Sequence, residues 1–133
     1  MVWSNRNLTI KTKTMATNIV IQGVSYAKIV GGEDYNLIPF DLSGNLFSEV
    51  TIEVDTTLGN TGIFLPEIST LNGNWNILIK VISLNGGTTG NIVYINSSAD
   101  FIGSNNYLAL ENDGTNVILT PIASANWYGV TAL

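Results

Sequence analysis

The sequence predicts an all-β fold: an antiparallel β-sandwich or jelly-roll-like domain preceded by an extended N-terminal arm. Apolar and polar residues alternate along many short runs, which is the period of a half-buried strand. Pairs of Asn or Asp with Gly separate these runs at intervals of roughly 8–12 residues, which is typical of sandwiches and barrels. No stretch has the convincing spacing of an amphipathic helix, and good helix formers are scarce in the 133 residues.

The predicted strands follow one another along the chain with turns between them. Two strands in the first third, at 18–22 and 24–30, are predicted to pair around Gly23. The clearest alternation places Val50, Ile52 and Val54 on one face of a strand. Further strands are predicted at 76–82, 92–96, 107–110, 117–119 and 127–130, with tight turns at Asn72-Gly73, Asn85-Gly86 and Asp113-Gly114.

The chain divides by charge into a basic head and an acidic body. Four of its five basic residues lie in the first 28 positions, where there is no acid, and all ten acids follow from Glu33 onwards. We therefore expect an N-terminal attachment arm with a connecting hairpin over residues 1–47, and a β-sandwich domain over residues 48–133. Opposite charge would steer such an arm to an acidic neighbour, whereas the simpler alternative is a basic surface tail.

The arm carries the residues that we predict to bind a partner. Trp3 lies in a polar segment with no local core to enter. We expect its ring to be an anchor in the groove of a neighbouring subunit, because buried aromatic anchors dominate many interfaces. The predicted partner-binding residues are Trp3, Arg6, Lys11 and Lys13.

Composition excludes several classes of site. The chain has no His and no Cys, which rules out imidazole or thiolate metal sites and every Ser-His or Cys-His nucleophile. Its net charge of −5 argues against nucleic acid as a partner. No apolar run approaches the roughly 18 residues of a membrane span, and the first residues lack the apolar segment of a signal peptide. We expect no cofactor and no membrane insertion.

Carboxylates are the main candidates left for acid–base chemistry. Glu53 and Asp55 lie on one face of a predicted strand, about 7 Å apart, within the range of a glycosidase pair. Acids that alternate along a strand are more typical of a solvated face. Asp100, Glu111 and Asp113 offer oxygen ligands for Ca²⁺ but lack the spacing of a calcium loop. We therefore predict no catalytic site, no metal site and no enzyme.

Aromatic side chains provide a second hypothesis. Rings on strands stack on sugars, with Asn and Asp supplying hydrogen bonds, which would make the protein a lectin-like module. The alternative is that these rings belong to the core or to a contact between subunits. The candidates for glycan or subunit contact are Trp75, Tyr107, Trp127 and Tyr128.

The second half of the chain resembles a β-repeat domain found in tailed-bacteriophage fibres and related virion proteins. Six short pieces occur in the order seen in that family, over about residues 50–131. They are Ile63–Pro66, the segment from Gly73 to Lys80, Asn91–Ile95, Asp100–Gly103, Val117–Leu119 and Asn126–Val130. In the Asp100 piece Gly103 directly follows Ile102, which departs from the Asp-x-Ile-x-Gly pattern of the family.

The resemblance implies a structural virion part rather than an enzyme. Members of the family are commonly homotrimeric, and they carry or contact receptors. Coiled-coil heptads and a Gly-X-Y shaft are absent, which favours a short tail fibre, a head fibre, an adaptor or a capsid-decoration subunit. We expect such a subunit to dock on capsid or tail proteins through its arm and to self-associate through its β domain. The alternative is a receptor-recognising, carbohydrate-binding module for host attachment.

Overall fold

The computed structural model describes residues 16–21, 23–39, 48–71, 76–97, 100–103, 105–122 and 127–132. These residues form mostly β-strands, with one short α-helix and one 3-10 helix, so the prediction of an all-β fold is confirmed. The strands are β1 (Thr17–Ile21), β2 (Val24–Val30), β3 (Asp34–Pro39), β4 (Ser48–Asp55), β5 (Thr61–Phe64), β6 (Ile77–Leu84), β7 (Val93–Asn96), β8 (Phe101–Ile102), β9 (Tyr107–Leu110), β10 (Asn116–Ile122) and β11 (Trp127–Ala132). The 3-10 helix (Ile68–Leu71) follows β5, and helix α1 (Gly86–Thr89) follows β6.

The strands form two sheets, and the chain alternates between them. The first sheet has the order β1-β3-β5-β7-β9, and we call it sheet A. The second has the order β2-β4-β6-β10-β11-β8, and we call it sheet B. Each connection from β1 to β10 therefore carries the chain to the opposite sheet, and pairs of strands stack as successive coils.

Strand pairing corrects the expectation of antiparallel sheets. Sheet A pairs β1, β3, β5 and β7 in parallel, and sheet B pairs β2, β4 and β6 in parallel. Antiparallel pairs occur between β7 and β9, β6 and β10, and β10 and β11. The reason is the alternation: each intervening strand brings the chain back before the next strand of the same sheet begins. This pairing differs from that of a jelly roll.

The expected pairing around Gly23 is also wrong. Both strands exist at nearly the predicted positions, but β1 pairs with β3 and β2 pairs with β4. Gly23 has a φ of 55°, which is the left-handed region that glycine tolerates. The chain uses this residue to leave sheet A and enter sheet B.

One hydrophobic core joins the two sheets. The predicted alternation in β4 and β6 is confirmed, because Ile52, Ile79 and Val81 are fully buried. Sheet A contributes Ile63 and Ile95 to the same cluster. Burying a side chain of this size contributes roughly 1.5–3 kcal/mol, so the shared core is the main force that holds the sheets together.

Strands on both sides of the predicted boundary near Ser48 belong to the same two sheets. β3 pairs with β5 in sheet A, and β2 pairs with β4 in sheet B. The boundary between residues 1–47 and 48–133 stays a prediction, but β1, β2 and β3 share their sheets with the strands that follow it.

Tight turns stack at one end of the sheets. The N–H of Gly31 donates to the carbonyl of Asp55 at 2.6 Å. Gly86, at the start of α1, lies so close to the neighbouring turn that an added Cβ would stand 2.7 Å from the carbonyl oxygen of Glu111. A Cβ on the adjacent Gly87 would meet its nearest atom, the backbone N of Asp113, at an ordinary 3.6 Å.

The two adjacent glycines give a matched test of this packing. We expect Gly86→Ala to lower the free energy of unfolding by about 1–3 kcal/mol, because backbone must move to admit the methyl group. Gly87→Ala should leave it unchanged or raise it by about 0.4–1 kcal/mol, since the unfolded chain loses freedom. Urea unfolding of both variants measures the difference, and equal effects would contradict the stacked arrangement.

Candidate interaction surface

The outer side of β2 is unusually apolar for a solvent-facing strand. Val24, Tyr26 and Val30 are 78 %, 59 % and 51 % exposed. Lys28 is the fourth exposed residue of this row, while Ile29 faces the core. Contiguous exposed apolar side chains normally mark an interaction site. We call these four residues, Val24, Tyr26, Lys28 and Val30, the β2 row.

β2 is also the edge strand of sheet B. Its paired neighbour is β4, and no described strand pairs with it on the other side. β1 is the edge strand of sheet A in the same first coil. An edge strand presents unpaired N–H and C=O groups that can pair with another chain. The β2 row therefore combines apolar side chains with an open backbone edge.

The row next to it is acidic. The register places Lys28 beside Glu53 and Val30 beside Asp55 in β4. Glu49 lies at the other end of the same strand, beside Val24. The outer face of sheet B thus has an apolar stripe with one cation next to a stripe of carboxylates.

Asp55 is held by a network of donors in the turns. Its Oδ1 accepts the Thr57 hydroxyl at 2.5 Å, the Thr57 N–H at 3.0 Å and the Asn85 side-chain amide at 2.9 Å. These bonds, those from Thr57 first, lower the pKa of Asp55 from 3.8 to about 2. A glycosidase acid needs a raised pKa. Asp55 is therefore the ionised member of any pair with Glu53, and its bonds to Thr57 and Asn85 give it a structural role in the turns.

Asp100 has a structural partner. Its Oδ2 accepts the N–H of Ile68 at 2.8 Å, at the start of the 3-10 helix, and the Ser97 hydroxyl lies 3.4 Å from the same atom. Burial raises the pKa of this carboxyl. Asp113 accepts the N–H of Asn85 at 2.7 Å. Over the described ranges, no group of three or more acidic residues is arranged to hold a metal ion.

Three of the six segments that resemble the phage repeat lie next to one another at Tyr128. The hydroxyl of Tyr128 donates to the carbonyl of Pro66. Tyr128 pairs with Ile102 in the neighbouring strand, and the N–H of Gly103 donates to the Tyr128 carbonyl at 2.8 Å. The segments around Pro66, Gly103 and Tyr128 therefore form a clasp between the β5 end, β8 and β11. Their role in this structure is to hold the fold together.

The predicted aromatic contacts have different outcomes. Tyr128 is fully buried, and burial raises the pKa of its hydroxyl, so it is part of the core rather than a surface contact. Tyr107 is partly exposed, with its ring 5.9 Å from that of Tyr94. Trp75 and the side chain of Trp127 lie outside the described residues, as do all four arm residues, Trp3, Arg6, Lys11 and Lys13.

A cavity of about 530 Å³ opens on sheet A. Asn36, Glu67 and Thr70 are among its lining residues, together with Ile38 and Phe64. This volume is within the range of small-molecule sites. Of the predicted aromatic contacts whose side chains the structure describes, Tyr107 and Tyr128, neither lines this cavity.

The β2 row was not predicted, although the sequence carries a signal for it. In the segment 24–30 the face with Val24, Tyr26 and Val30 has more large apolar side chains than the face with Ile29, and yet it is the face that the structure exposes. The cavity had no such signal, because its lining comes from segments separated along the chain.

No family model matches the sequence, and no curated protein matches it either. Within the part of the chain that the structure describes, no helix is both long and apolar enough to cross a membrane.

The network around Asp55 predicts that the free energy of unfolding depends on pH in the acidic range. Because the pKa of Asp55 is lower in the folded protein than in the unfolded chain, where it is 3.8, the ionised carboxylate stabilises the fold above that pH. This stabilisation is lost as the pH falls through about 2. We expect the advantage of the wild type over Asp55→Asn in the free energy of unfolding to shrink between pH 4 and pH 2. Thr57→Val should raise the pKa of Asp55 in an NMR titration. An unchanged pKa in that variant would contradict the network.

Proposed function

We propose that this protein is a non-enzymatic structural subunit of a tailed-phage virion: a short fibre, adaptor or decoration protein. The observation that carries the proposal is the β2 row, in which Val24, Tyr26 and Val30 are exposed on an open sheet edge. A soluble monomer gains nothing from such an edge, which favours unwanted pairing. A subunit that is held by its neighbours uses the edge for assembly.

The resemblance to fibre domains supports the same proposal. Its pieces around Pro66, Gly103 and Tyr128 serve as a structural clasp in this fold. The finer description as a fibre-like β-sandwich, and the homotrimer that the resemblance implies, belong to this proposal.

Attachment to the particle is assigned to the N-terminal residues. The concentration of basic residues in the first 28 positions, against the acidic remainder, would steer the arm to an acidic capsid or tail protein. Trp3 supplies the apolar anchor, and Arg6, Lys11 and Lys13 supply the charge. The proposed location of the protein is the virion.

The native mass of the full chain at several concentrations tests this function. We expect a stable oligomer in the micromolar range at physiological salt, because the exposed edge must be covered. A compact monomer at every concentration would overturn the proposal of a self-associating virion subunit.

A carbohydrate-binding module is the second candidate, and the cavity on sheet A favours it. Asn36, Glu67 and Thr70 are polar residues of the type that hydrogen-bond sugar hydroxyls. A glycan array with the full chain and with Glu67→Gln separates the two functions. Selective binding that falls at least tenfold in the variant would support the module, and absence of binding by the wild type would exclude it.

A further inference from the structure

We propose that β2 pairs with β2 of a second copy in antiparallel orientation, so that two open edges close each other. This inference rests on the proposed function, which includes self-association, and it identifies the strand through which the copies associate. The partner is a second copy of this chain because the side chains of the β2 row are complementary to those of a second β2 row in antiparallel register.

Backbone direction makes the pairing possible. The carbonyl of Gly23 accepts the N–H of Glu49, and the N–H of Gly31 donates to Asp55. Because backbone groups alternate in direction along a strand, the odd-numbered residues of β2 point to β4. The even-numbered residues, which form the β2 row, point their N–H and C=O groups to the open side.

Side chains then select one register. If Ala27 faces Ala27 of the second copy, all seven residues of β2 find a counterpart. Val24 then lies opposite Val30 of the second copy, and Tyr26 lies opposite Lys28. Directly opposed side chains are the stabilising units of a sheet, and a Lys ammonium beside a Tyr ring is a favourable pair.

Neighbouring registers are worse. A shift by two residues in one direction places Lys28 opposite Lys28 of the second copy, where like charges repel. The same shift in the other direction places Tyr26 opposite Tyr26 and leaves Val30 without a counterpart. The β2 row has the order Val-Tyr-Lys-Val at alternate positions. Two such rows therefore pair favourably along their full length in only one antiparallel register.

Lys28 does not oppose this contact. A lysine on an edge strand usually prevents pairing. Here the register places Glu53 beside it on the same sheet face, and its charge also acts on Asp55. With acidic neighbours on one side, the ammonium group is free to meet an aromatic ring on the other.

The symmetry of the β2 contact restricts the number of copies in the assembly. Antiparallel pairing of identical strands places a two-fold axis at their centre. The assembly then contains an even number of copies, either a dimer or two trimers joined through their β2 edges. An isolated trimer contains no such axis.

Two substitutions of the same residue test the register. Tyr26→Lys places a second cation opposite Lys28, whereas Tyr26→Glu places an anion there. We expect the first to raise the dissociation constant at least roughly tenfold at low salt and the second to leave it within a few-fold. Tyr26 is largely exposed, so both variants should fold, which far-UV circular dichroism checks. Analytical ultracentrifugation measures the association.

Engineered cysteines test the alignment directly, because the native chain has none. Val24→Cys and Val30→Cys should form an intermolecular disulfide when the two variants are mixed, since opposed Cα atoms at about 5.5 Å suit a disulfide. Each variant alone should remain unlinked, because two copies of residue 24 would stand about 20 Å apart.

The outcomes separate the contact from the function. An even-numbered wild type, with the expected variant pattern, supports the inference. A wild type that is an isolated trimer, equal loss of association in both Tyr26 variants, or no change in either overturns the β2 contact while self-association stands. A wild type that is monomeric throughout overturns the self-association and the contact together.

Discussion

The structure depends on a topological constraint: almost every connection moves the chain to the opposite sheet. Strands that are neighbours in a sheet are therefore separated by a strand of the other sheet. Parallel pairing follows from this, and so does a main core to which both sheets contribute. Each turn must also carry the chain from one sheet to the other within a short distance. The backbones of neighbouring turns therefore pack closely together, as they do at Gly31 and Gly86.

The same constraint makes the two ends of the stack different. At one end the chain stops alternating, and β10 and β11 form an antiparallel pair that the clasp at Tyr128 ties to Pro66. At the other end, the first coil leaves β1 and β2 as edge strands. A fold built from stacked coils needs its exposed edges covered. The apolar β2 row lies where such a cover would be placed.

Uncharged polar residues hold the turns in register. Thr56, which is fully buried, donates through its hydroxyl to the carbonyl of Leu84 at 2.8 Å, and its own carbonyl accepts the side-chain amide of Asn91 at 2.7 Å. Neutral groups can be buried in this way without the cost of desolvating an ion. The low content of charge and the many Asn and Thr residues thus have a structural role inside the fold.

The sequence by itself determined most of the strands, although β3, β5 and β8 were not predicted. Alternation at Val50, Ile52 and Val54 identified a buried face, and the Asp113-Gly114 pair identified a turn in which Gly114 has a φ of 79°. These are local properties, set by which side chains avoid water and which residues accept a positive φ. Only the tertiary structure decided the partner and direction of each strand, because alternation specifies a buried face but not the neighbour beside it. It also decided that Tyr128 lies in the core and Tyr26 on the surface, since both are tyrosines on short apolar strands and only packing distinguishes them.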